Sequence, residues 1–399
     1  MLTEQEKAFI KINLNSDTIK LVLNQDKYPN LDVKKLANQI NIRKKAIHKL
    51  PNWAKNPEIF FPSTISWQQC SSEFTAKYKA NILKQISNGN KVVDLTGGFG
   101  VDSFYLAQQF DKVIYIEQQK ALTEIINYNN KVFNKTNIEV INNDSLEYLD
   151  QLSDLDAIYL DPARRNERQQ KIITLEDSTP NVIAIKERLL AKAKYVMVKT
   201  SPMLDIHKAI RSLESVCEVY VISVENECKE LLFILNNDFR QLEDIQLTCV
   251  NISLKGQPQV FKTTWKEYKS ITYTEPKTYL YDANKAILKG NIVDIVGDYF
   301  GFEKLAPNTQ LLTGDELRKN FQGRIFEVVA VVKPSKKLIA KYLDNGKANL
   351  IVRNFPESVA NLRKKWKIKN GGNVYLFAVT LAKTQKVVVV CQRLIFSTE

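Results

Sequence analysis

Apolar and polar positions between residues 66 and 239 form short apolar runs that alternate with longer segments of helical spacing. The short runs predict strands, and the longer segments predict amphipathic helices. Strands that alternate with helices are typical of a doubly wound, mainly parallel sheet. The predicted strands cover 91–94, 112–117, 138–141, 157–161, 195–199, 218–224 and 230–235, and the predicted helices cover 70–86, 102–109, 120–133, 182–193 and 206–213. The last two strands are close enough to form a hairpin, which would make the final strand antiparallel.

The pattern changes on both sides of this region. Residues 1–60 have helical spacing, with Asp32 as the N-cap of a helix over 31–40 that Asn41 ends, and a second helix over 43–50 that Pro51 stops. Residues 326–399 predict a small α+β module. Its strands cover 325–332, 349–353, 374–380 and 386–390, and its helices cover 336–343 and 359–366. The predicted fold class is α/β, divided into a helical region (1–60), an α/β domain (61–239), a connecting segment (240–325) and a basic α+β domain (326–399).

The segment with the clearest chemistry is the run Asp-Leu-Thr-Gly-Gly-Phe-Gly-Val-Asp at residues 94–102. It follows a predicted strand and begins a predicted helix. Glycines let the backbone approach a ligand closely, and the start of a helix offers free N–H groups. A dinucleotide site would place a pyrophosphate here and avoid a carboxylate such as Asp94. A cationic amino-acid moiety, such as the methionine end of S-adenosylmethionine (SAM), would be attracted by it.

Acidic residues follow several other predicted strands. Ligands of an open α/β sheet bind beyond the carboxyl ends of its strands. Glu117 ends the second strand, where a carboxylate can accept hydrogen bonds from both ribose hydroxyls. Asp144 follows the third strand and is placed to bind an adenine amino group, and Asp161 follows the fourth. Together with Asp94, these residues predict a site for a cofactor that contains a nucleoside.

This ordered set resembles the Rossmann-like SAM-dependent methyltransferases. The segments 160–165, 199–205, 226–230 and 279–289, and the run Gln39-Ile40…Arg43…Lys49-Leu50-Pro51…Trp53, resemble a bacterial subgroup with a ferredoxin-like segment and a C-terminal THUMP-like domain. The resemblance implies RNA methylation and SAM as the cofactor. The predicted cofactor-binding residues are Asp94, Thr96, Gly97, Gly98, Gly100, Asp102, Glu117, Asp144 and Asp161. The predicted catalytic residues are Asp161, Arg164 and Lys199.

The motif after the fourth strand departs from that of amino-group methyltransferases. Those enzymes typically carry Asn/Asp-Pro-Pro followed by an aromatic residue that stacks on the target. This chain keeps Asp161-Pro162 but continues with Ala163 and Arg164. The stacking ring is missing unless another loop supplies it or the Arg164 guanidinium takes its place. Arg164 and Arg165 are predicted to contact a nucleotide backbone, with a salt bridge of Arg164 to a nearby acid as the alternative.

Two further residues have open roles. Lys199 either positions the substrate, binds a phosphate, or simply ends its strand. Carbon methylation of pyrimidines uses a cysteine nucleophile, so Cys228 between the last two predicted strands is a candidate. No neighbouring base is visible in the sequence, and a buried structural cysteine is the commoner case.

Positive charge is concentrated in the flanks of the chain. The formal net charge is +13, and residues 241–399 carry 25 basic and 14 acidic side chains, against 21 and 24 in residues 61–240. Residues 333–369 alone carry eleven basic and two acidic side chains. Such clusters bind phosphates, so we predict an RNA partner. The predicted RNA-binding residues are Lys336, Lys337, Lys364 and Lys365, with Tyr342, Phe355 and Trp366 either stacking on bases or packing in the core.

Other features limit the class of protein. Two histidines and five scattered cysteines argue against histidine-based metal centres, Ser-His-Asp catalysis and zinc sites, so no metal is predicted. No apolar run predicts a membrane span, and we expect a cytoplasmic protein. The leading hypothesis is a SAM-dependent methyltransferase of tRNA or rRNA. The alternatives are a methyltransferase of a protein or small molecule, a non-catalytic RNA-binding module with a SAM pocket, and, least favoured, a nicotinamide-dependent oxidoreductase.

Overall fold

The computed structural model describes residues 2–163, 174–238, 244–265 and 270–396. Arg164 and Arg165 lie outside the described residues. The chain forms two compact units, the first containing Met1–Val219 and Glu230–Gln241 and the second containing Tyr220–Lys229 and Leu242–Glu399. The four-part division of the sequence stays a prediction.

The first unit contains a mainly parallel sheet with helices around it. The helices are α1 (Glu4–Ile12), α2 (Thr18–Leu23), α3 (Val33–Lys49), α4 (Pro51–Ala54), α5 (Thr64–Gln69), α6 (Glu73–Ser87), α7 (Val101–Leu106), α8 (Lys120–Val132), α9 (Ser145–Leu149), α10 (Val182–Leu190) and α11 (Ile206–Leu213). The strands are β1 (Lys91–Asp94), β2 (Lys112–Ile116), β3 (Ile138–Ile141), β4 (Leu155–Leu160), β5 (Ala193–Thr200), β6 (Val216–Val224) and β7 (Glu227–Leu235), of which β6 and β7 extend into the second unit.

The strand order is β3-β2-β1-β4-β5-β7-β6. Strands β1 to β5 pair in parallel, whereas β7 runs antiparallel to β5. This order confirms the doubly wound sheet with a terminal antiparallel strand that the sequence predicts. The carboxyl ends of β1, β2 and β4 therefore lie next to one another at one edge of the sheet.

The N-terminal region differs from its prediction in one respect. Residues 33–49 form the single helix α3, so the predicted break at Asn41 is wrong. Asn41 is exposed, and its Oδ1 accepts a hydrogen bond from Thr18 Oγ1 at 2.9 Å, so its side chain does not compete with the helix backbone. The predicted N-cap is confirmed, because Asp32 Oδ1 accepts a hydrogen bond from Lys35 N at 3.0 Å.

Helix α3 also buries a cation without a carboxylate partner among the described residues. Arg43 is 6% exposed and donates to the side-chain oxygen of Gln39 at 2.8 Å and to the carbonyl oxygens of Pro57 and Ile59. Burial lowers the pKa of Arg43 to about 10. These hydrogen bonds fix the segment that leads from the N-terminal helices to the sheet.

The second unit contains a mixed sheet of order β11-β12-β10-β13-β16-β15-β14 and the antiparallel pair β8–β9. Its strands are β8 (Gln246–Ile252), β9 (Gln259–Thr264), β10 (Tyr279–Ala283), β11 (Glu303–Ala306), β12 (Thr309–Gly314), β13 (Gly323–Val332), β14 (Asn349–Arg353), β15 (Val374–Thr380) and β16 (Lys386–Leu394). Its helices are α12 (Lys285–Gly290), α13 (Val293–Phe300), α14 (Lys336–Ala340) and α15 (Val359–Trp366). The predicted α+β pattern of the C-terminal residues is confirmed. None of the helices described in either unit is long and apolar enough to cross a bilayer.

Candidate active site

Two positions of the glycine loop between β1 and α7 accept only a residue without a side chain. A Cβ on Gly97 would lie 2.2 Å from Tyr115 Cε2, and Gly100 has a φ of +73° with Ile126 Cδ1 2.5 Å from the position of a Cβ. Gly98 also has a positive φ, of +52°, but a Cβ there would meet only the carbonyl oxygen of Thr96, at 3.8 Å. The loop is thus packed closely on the sheet at Gly97 and Gly100 and is open at Gly98.

Asp94 is buried inside this loop and forms hydrogen bonds that hold the loop's conformation. Its side chain is 1% exposed, and its carboxylate accepts hydrogen bonds from Thr96 N at 3.0 Å and from Ser103 Oγ at 2.5 Å. Burial raises the pKa of Asp94 to about 7, with Asp102 and Asp161 adding to the increase and the Ser103 hydrogen bond opposing it. This carboxyl group therefore changes its charge near neutral pH.

The residues that end β1, β2 and β4 are joined to one another through the loop. Asp161 N donates a hydrogen bond to Thr96 Oγ1 at 2.6 Å, and Gly98 N donates to Glu117 Oε2 at 2.9 Å. Asp94, Glu117 and Asp161 therefore surround a single loop. The structure brings together the residues that the sequence places at these three strand ends.

Asp144 lies in the next loop, after β3. It caps α9, because its Oδ1 accepts hydrogen bonds from Leu146 N at 2.8 Å and Glu147 N at 3.2 Å. Two residues earlier, Asn142 Nδ2 donates to the carbonyl oxygen of Glu117 at 2.9 Å. The third loop is thus tied to the second, and the predicted role of Asp144 toward an adenine amino group stays a prediction.

Asp102, in the first turn of α7, belongs to a buried ion-pair network. Lys79 Nζ lies 2.9 Å from Asp102 Oδ1 and 3.3 Å from Glu230 Oε1, and it donates to Ser71 Oγ at 2.7 Å. Asp102 Oδ2 also accepts hydrogen bonds from Ser71 Oγ at 2.7 Å and from Tyr159 OH at 2.9 Å. The network connects α6, α7, β4 and β7 and includes Asp102, the last residue of the 94–102 run.

The charges in this network compensate for its burial. Burial acts to raise the pKa of Asp102, but the nearby cations Lys79 and Lys199 lower it below its usual value. The pKa of Lys79 moves the other way: burial acts to lower it, and Asp102 and Glu230 raise it above its usual value. Asp102 and Lys79 are therefore both charged at neutral pH.

Asp161 and Lys199 form a second ion pair at the ends of β4 and β5. Lys199 Nζ donates to Asp161 Oδ2, with the lysine side chain 2% exposed and the aspartate side chain 23% exposed. The adjacent Thr200 Oγ1 is buried and has no hydrogen-bond partner among the described residues. The ion pair holds one oxygen of Asp161 and leaves part of the carboxylate accessible.

Sequence reasoning missed Lys79, Glu230, Ser71 and Tyr159. Lys79 and Ser71 lie in or before a helix with many polar residues, and the sequence does not show which of its lysines points inward. Only the position of Glu230 could have indicated its role in the network, because it begins a predicted strand that the hairpin places next to β5. The register confirms this placement, with Thr200 opposite Leu231.

Two cysteines lie near acidic or sulfur-containing groups. Cys70 interacts electrostatically with Asp102 and Lys199, and burial raises the pKa of its thiol. It is therefore a thiol at neutral pH rather than a nucleophilic thiolate. Cys228 lies beside the buried Cys249 in the second unit, and its predicted role as a nucleophile stays a hypothesis.

The lysines predicted to bind RNA lie on two short helices of the second unit. Lys336 and Lys337 on α14 and Lys364 and Lys365 on α15 are all exposed, and Lys365 forms an ion pair with Glu357 at 2.8 Å.

The aromatic residues near these lysines in the sequence lie in the core or pack against it. Trp366 is 3% exposed, and Tyr342 and Phe355 pack against the same cluster of buried residues. The core interpretation therefore holds for Trp366, and base stacking by the partly buried Tyr342 and Phe355 stays a prediction.

Comparison with known protein families identifies three domains. Residues 77–220 match a family described as conserved hypothetical protein 95, residues 279–321 match a ferredoxin-like domain, and residues 323–393 match a THUMP domain-like family. A crystal structure of a "putative methyltransferase" from Porphyromonas gingivalis W83 is similar over almost the whole length. It is 28% identical and aligns with 99% of this chain and 100% of its own, at a TM-score of 0.87.

The chain thus resembles Rossmann-like methyltransferases that carry ferredoxin-like and THUMP-like domains. The chain also matches an rRNA methylase from Streptococcus thermophilus at 17% identity over 41% of this chain and 95% of that one, with a TM-score of 0.30. A SAM-dependent methyltransferase from Agrobacterium tumefaciens is 18% identical over 41% of this chain and 60% of that one, at a TM-score of 0.32. These two likenesses are too low to carry an argument. No curated protein sequence matches the chain.

Within this chain, the domain match over residues 77–220 spans the glycine loop and the ends of β1, β2 and β4. No group of histidine, cysteine and acidic residues suited to a metal ion occurs among the residues that the structure describes.

Proposed function

We propose that this protein is a SAM-dependent methyltransferase that methylates a nucleotide in structured RNA such as tRNA or rRNA. The observation that carries the proposal is the joining of three strand ends through one loop. Thr96 links the loop to Asp161, and Gly98 links it to Glu117. This arrangement gathers acidic groups around an open stretch of backbone, as a cationic nucleoside cofactor requires.

The residues present fit SAM. The loop is open at Gly98, so a ligand can approach its backbone without meeting a side chain. Glu117 accepts one backbone hydrogen bond on each carboxylate oxygen, from Gly98 N and Gln119 N, and each oxygen retains a lone pair for a ribose hydroxyl. In the proposal the 94–102 loop holds the methionine moiety, Glu117 the ribose and Asp144 the adenine. When bound, SAM supplies an electrophilic methyl group on a sulfonium.

Asp161 is the proposed catalytic residue, and Lys199 positions it. The partly exposed carboxylate of Asp161 accepts a hydrogen bond from the N–H or O–H of the acceptor and so increases the electron density on the attacking atom. Lys199 fixes the carboxylate in one orientation, which favours the in-line alignment on which methyl transfer depends. The predicted contacts of Arg164 and Arg165 with the RNA backbone are part of the proposal.

RNA is favoured over a small acceptor because of the second unit. Its THUMP domain-like match covers residues 323–393, which include the four exposed lysines of α14 and α15. Exposed lysines attract phosphate groups at long range and without sequence preference. A cytoplasmic location, where tRNA and rRNA are abundant, is part of the same proposal.

Transfer of a labelled methyl group tests the proposal. Total RNA from cells that lack the protein is incubated with methyl-labelled SAM and the purified protein, and the label in RNA is counted. Wild type is expected to label the RNA. Asp161→Asn is expected to label it about 100-fold more slowly, because Lys199 would bind the amide oxygen and leave a donor NH2 group where the free carboxylate oxygen accepts from the substrate.

The matched control is Asp150→Asn, which removes an exposed carboxylate whose side chain is paired with Arg188 at the surface. This variant is expected to label RNA at the wild-type rate. Wild-type protein that labels no RNA, or an Asp161→Asn variant as active as wild type, would contradict the proposal.

A further inference from the structure

A group of basic side chains in the second unit surrounds one buried carboxylate. Asp282 is 2% exposed, its Oδ2 accepts a hydrogen bond from Arg324, and its Oδ1 accepts one from Arg353 Nη2 at 3.1 Å. Lys285 interacts electrostatically with all three of these side chains. One carboxylate neutralises only one of the three positive charges, so the group retains an excess of positive charge.

The fold holds these side chains in fixed positions. Asp282 on β10 lies opposite Arg324 on β13 in the antiparallel register, and Arg353 is the last residue of β14. Lys285 is the first residue of α12, and its backbone N–H donates to Asn226 Oδ1 at 2.8 Å. The group is therefore built from separate elements, including both the ferredoxin-like match and the THUMP domain-like match.

Both guanidinium groups have unused donors. Arg324 Nε and Arg353 Nε are buried, and neither has an acceptor among the residues that the structure describes. A buried N–H that has lost water and gained no acceptor is unfavourable and uncommon in native proteins. Lys285 Nζ likewise forms no ion pair within the described ranges. An anion with several acceptor oxygens would satisfy all three cations.

The electrostatics of Lys285 agree with this interpretation. Burial lowers the pKa of Lys285, and the neighbouring Arg353 and Arg324 lower it further, while Asp282 acts in the opposite direction. Like charges that are held together in this way are stabilised when an anion binds among them. Guanidinium groups suit a tetrahedral oxyanion because they can donate two parallel hydrogen bonds to it.

We infer that Arg324, Arg353 and Lys285 form a phosphate-binding site and that its ligand is a phosphodiester group of the RNA substrate. The identity of the ligand rests on the proposed function, whereas the anion site itself does not. The site lies in the unit that carries the exposed lysines of α14 and α15. It differs from them in being partly buried and preformed, so it fixes one phosphate in place where the exposed lysines attract many.

Two measurements test the inference with the variants Arg353→Gln and Lys285→Gln. Lys285→Gln leaves both ion pairs of Asp282 intact, and Arg353→Gln leaves its pair with Arg324. Lys383→Gln is the control, because it removes one exposed positive charge from the same unit. All three variants are first compared with wild type by circular dichroism to establish that they fold.

The first measurement uses inorganic phosphate, with chloride at equal ionic strength as the reference. Phosphate is expected to raise the thermal unfolding midpoint of wild type and of Lys383→Gln, and to leave the midpoints of Arg353→Gln and Lys285→Gln unchanged. The second measurement is the affinity for a tRNA pool at several salt concentrations. Each of the two site variants is expected to bind about tenfold more weakly, with a salt slope lower by about one, and the control to bind like wild type.

The outcomes separate the inference from the proposed function. Equal stabilisation of all four proteins by phosphate would overturn the anion site, whatever RNA does. Stabilisation confined to wild type and the control, combined with unchanged RNA affinity of the site variants, would overturn RNA phosphate as the ligand. Wild type that responds to phosphate but binds no RNA would refute the RNA substrate and support the anion site.

Discussion

At the scale of single residues, Asp94 is an acid whose side chain is enclosed by the loop it shapes. Its two oxygens are occupied by Thr96 N and Ser103 Oγ, and its pKa lies near 7 because water is excluded from it. The ordinary pKa of an aspartate is 3.8. Between these two values the folded protein holds a proton that the unfolded chain releases, so ionisation there favours unfolding.

The variant Asp94→Asn tests this effect on stability. The free energy of unfolding of wild type, relative to that of Asp94→Asn, is expected to fall as the pH rises from about 4 to about 7, by at most about 1.4 kcal/mol per pH unit. Urea unfolding at a series of pH values measures it. Asp150→Asn serves as the control and is expected to show no such relative slope. Parallel stability curves for wild type and Asp94→Asn would contradict the raised pKa.

Glu117 is the residue best placed to test cofactor binding, because it is half-buried and lies in contact with the open part of the loop. Glu117→Gln is expected to weaken binding of S-adenosylhomocysteine about tenfold or more, since a charged acceptor for ribose hydroxyls becomes a neutral one. Isothermal titration calorimetry measures the affinity. Glu139→Gln, which removes a carboxylate from a surface pair with Lys112, is expected to bind like wild type. Equal affinities of the two variants would remove Glu117 from the cofactor site.

The strand-end acids could be predicted because strand and turn patterns locate them within one or two residues. Predicting Asp94, Glu117 and Asp161 as neighbours required only the strand boundaries and the rule that parallel strands end at one edge of the sheet. What those acids contact could not be predicted. The pairing of Asp161 with Lys199 depends on the distance between two neighbouring strand ends, which no local pattern contains.

At the scale of elements, the buried network of Lys79, Asp102 and Glu230 fastens α6 and α7 to β7. A cation that is 2% exposed bridges two carboxylates from elements that are far apart in sequence. Removing one member of such a group is destabilising, because the charges of its former partners remain buried and are no longer paired. The network therefore fixes the start of α7, where the glycine loop ends.

Lys79→Met tests the network. It is expected to lower the free energy of unfolding by about 3–5 kcal/mol, because Asp102 and Glu230 lose their shared cation. Denaturant unfolding measures the change. Lys112→Met removes only an exposed pair with Glu139 and is expected to change stability by less than about 1 kcal/mol. Equal effects of the two substitutions would show that the network contributes no more than a surface pair.

The sequence predicted well those helices and strands whose apolar positions repeat regularly, and it predicted the remaining elements poorly. The bounds of β1, β3, α11, β14, α15 and β15 agree with the sequence pattern residue for residue. The pair β8–β9 was missed because its residues 246–264 mix polar and apolar positions and are interrupted by Pro258. The break expected in α3 failed because the weak helix propensity of Asn41 is outweighed by the buried face of the helix around it.

At the scale of the whole molecule, basic charge is divided unequally between the parts of the chain. The C-terminal residues 241–399 carry most of the excess, and exposed lysines of α14 and α15 contribute to it. In the proposed function these lysines increase RNA affinity by displacing counterions from phosphates. Their contribution should therefore depend on salt and not on RNA sequence.

Replacing Lys336, Lys337, Lys364 and Lys365 together with glutamine tests this surface. The slope of log affinity for tRNA against log salt is expected to decrease in magnitude by about 3, because each phosphate contact contributes about 0.7–0.9. Filter binding at several salt concentrations measures it. The control has the same change of charge at exposed positions of the first unit, Lys112, Lys131, Lys194 and Lys208. A control with an equal loss of slope would show that total charge, and not this surface, governs binding.

The aromatic packing around Trp53 has a practical consequence for the first unit. The indole ring of Trp53, on α4, lies 5.1 Å from the ring of Phe99, which stands between Gly98 and Gly100 in the loop, and 5.2 Å from that of Phe104. A fragment that begins at residue 61 would lack Trp53, and the loop would lose these ring contacts. Anyone who grafts the sheet into a chimera must therefore carry α3 and α4 along with it.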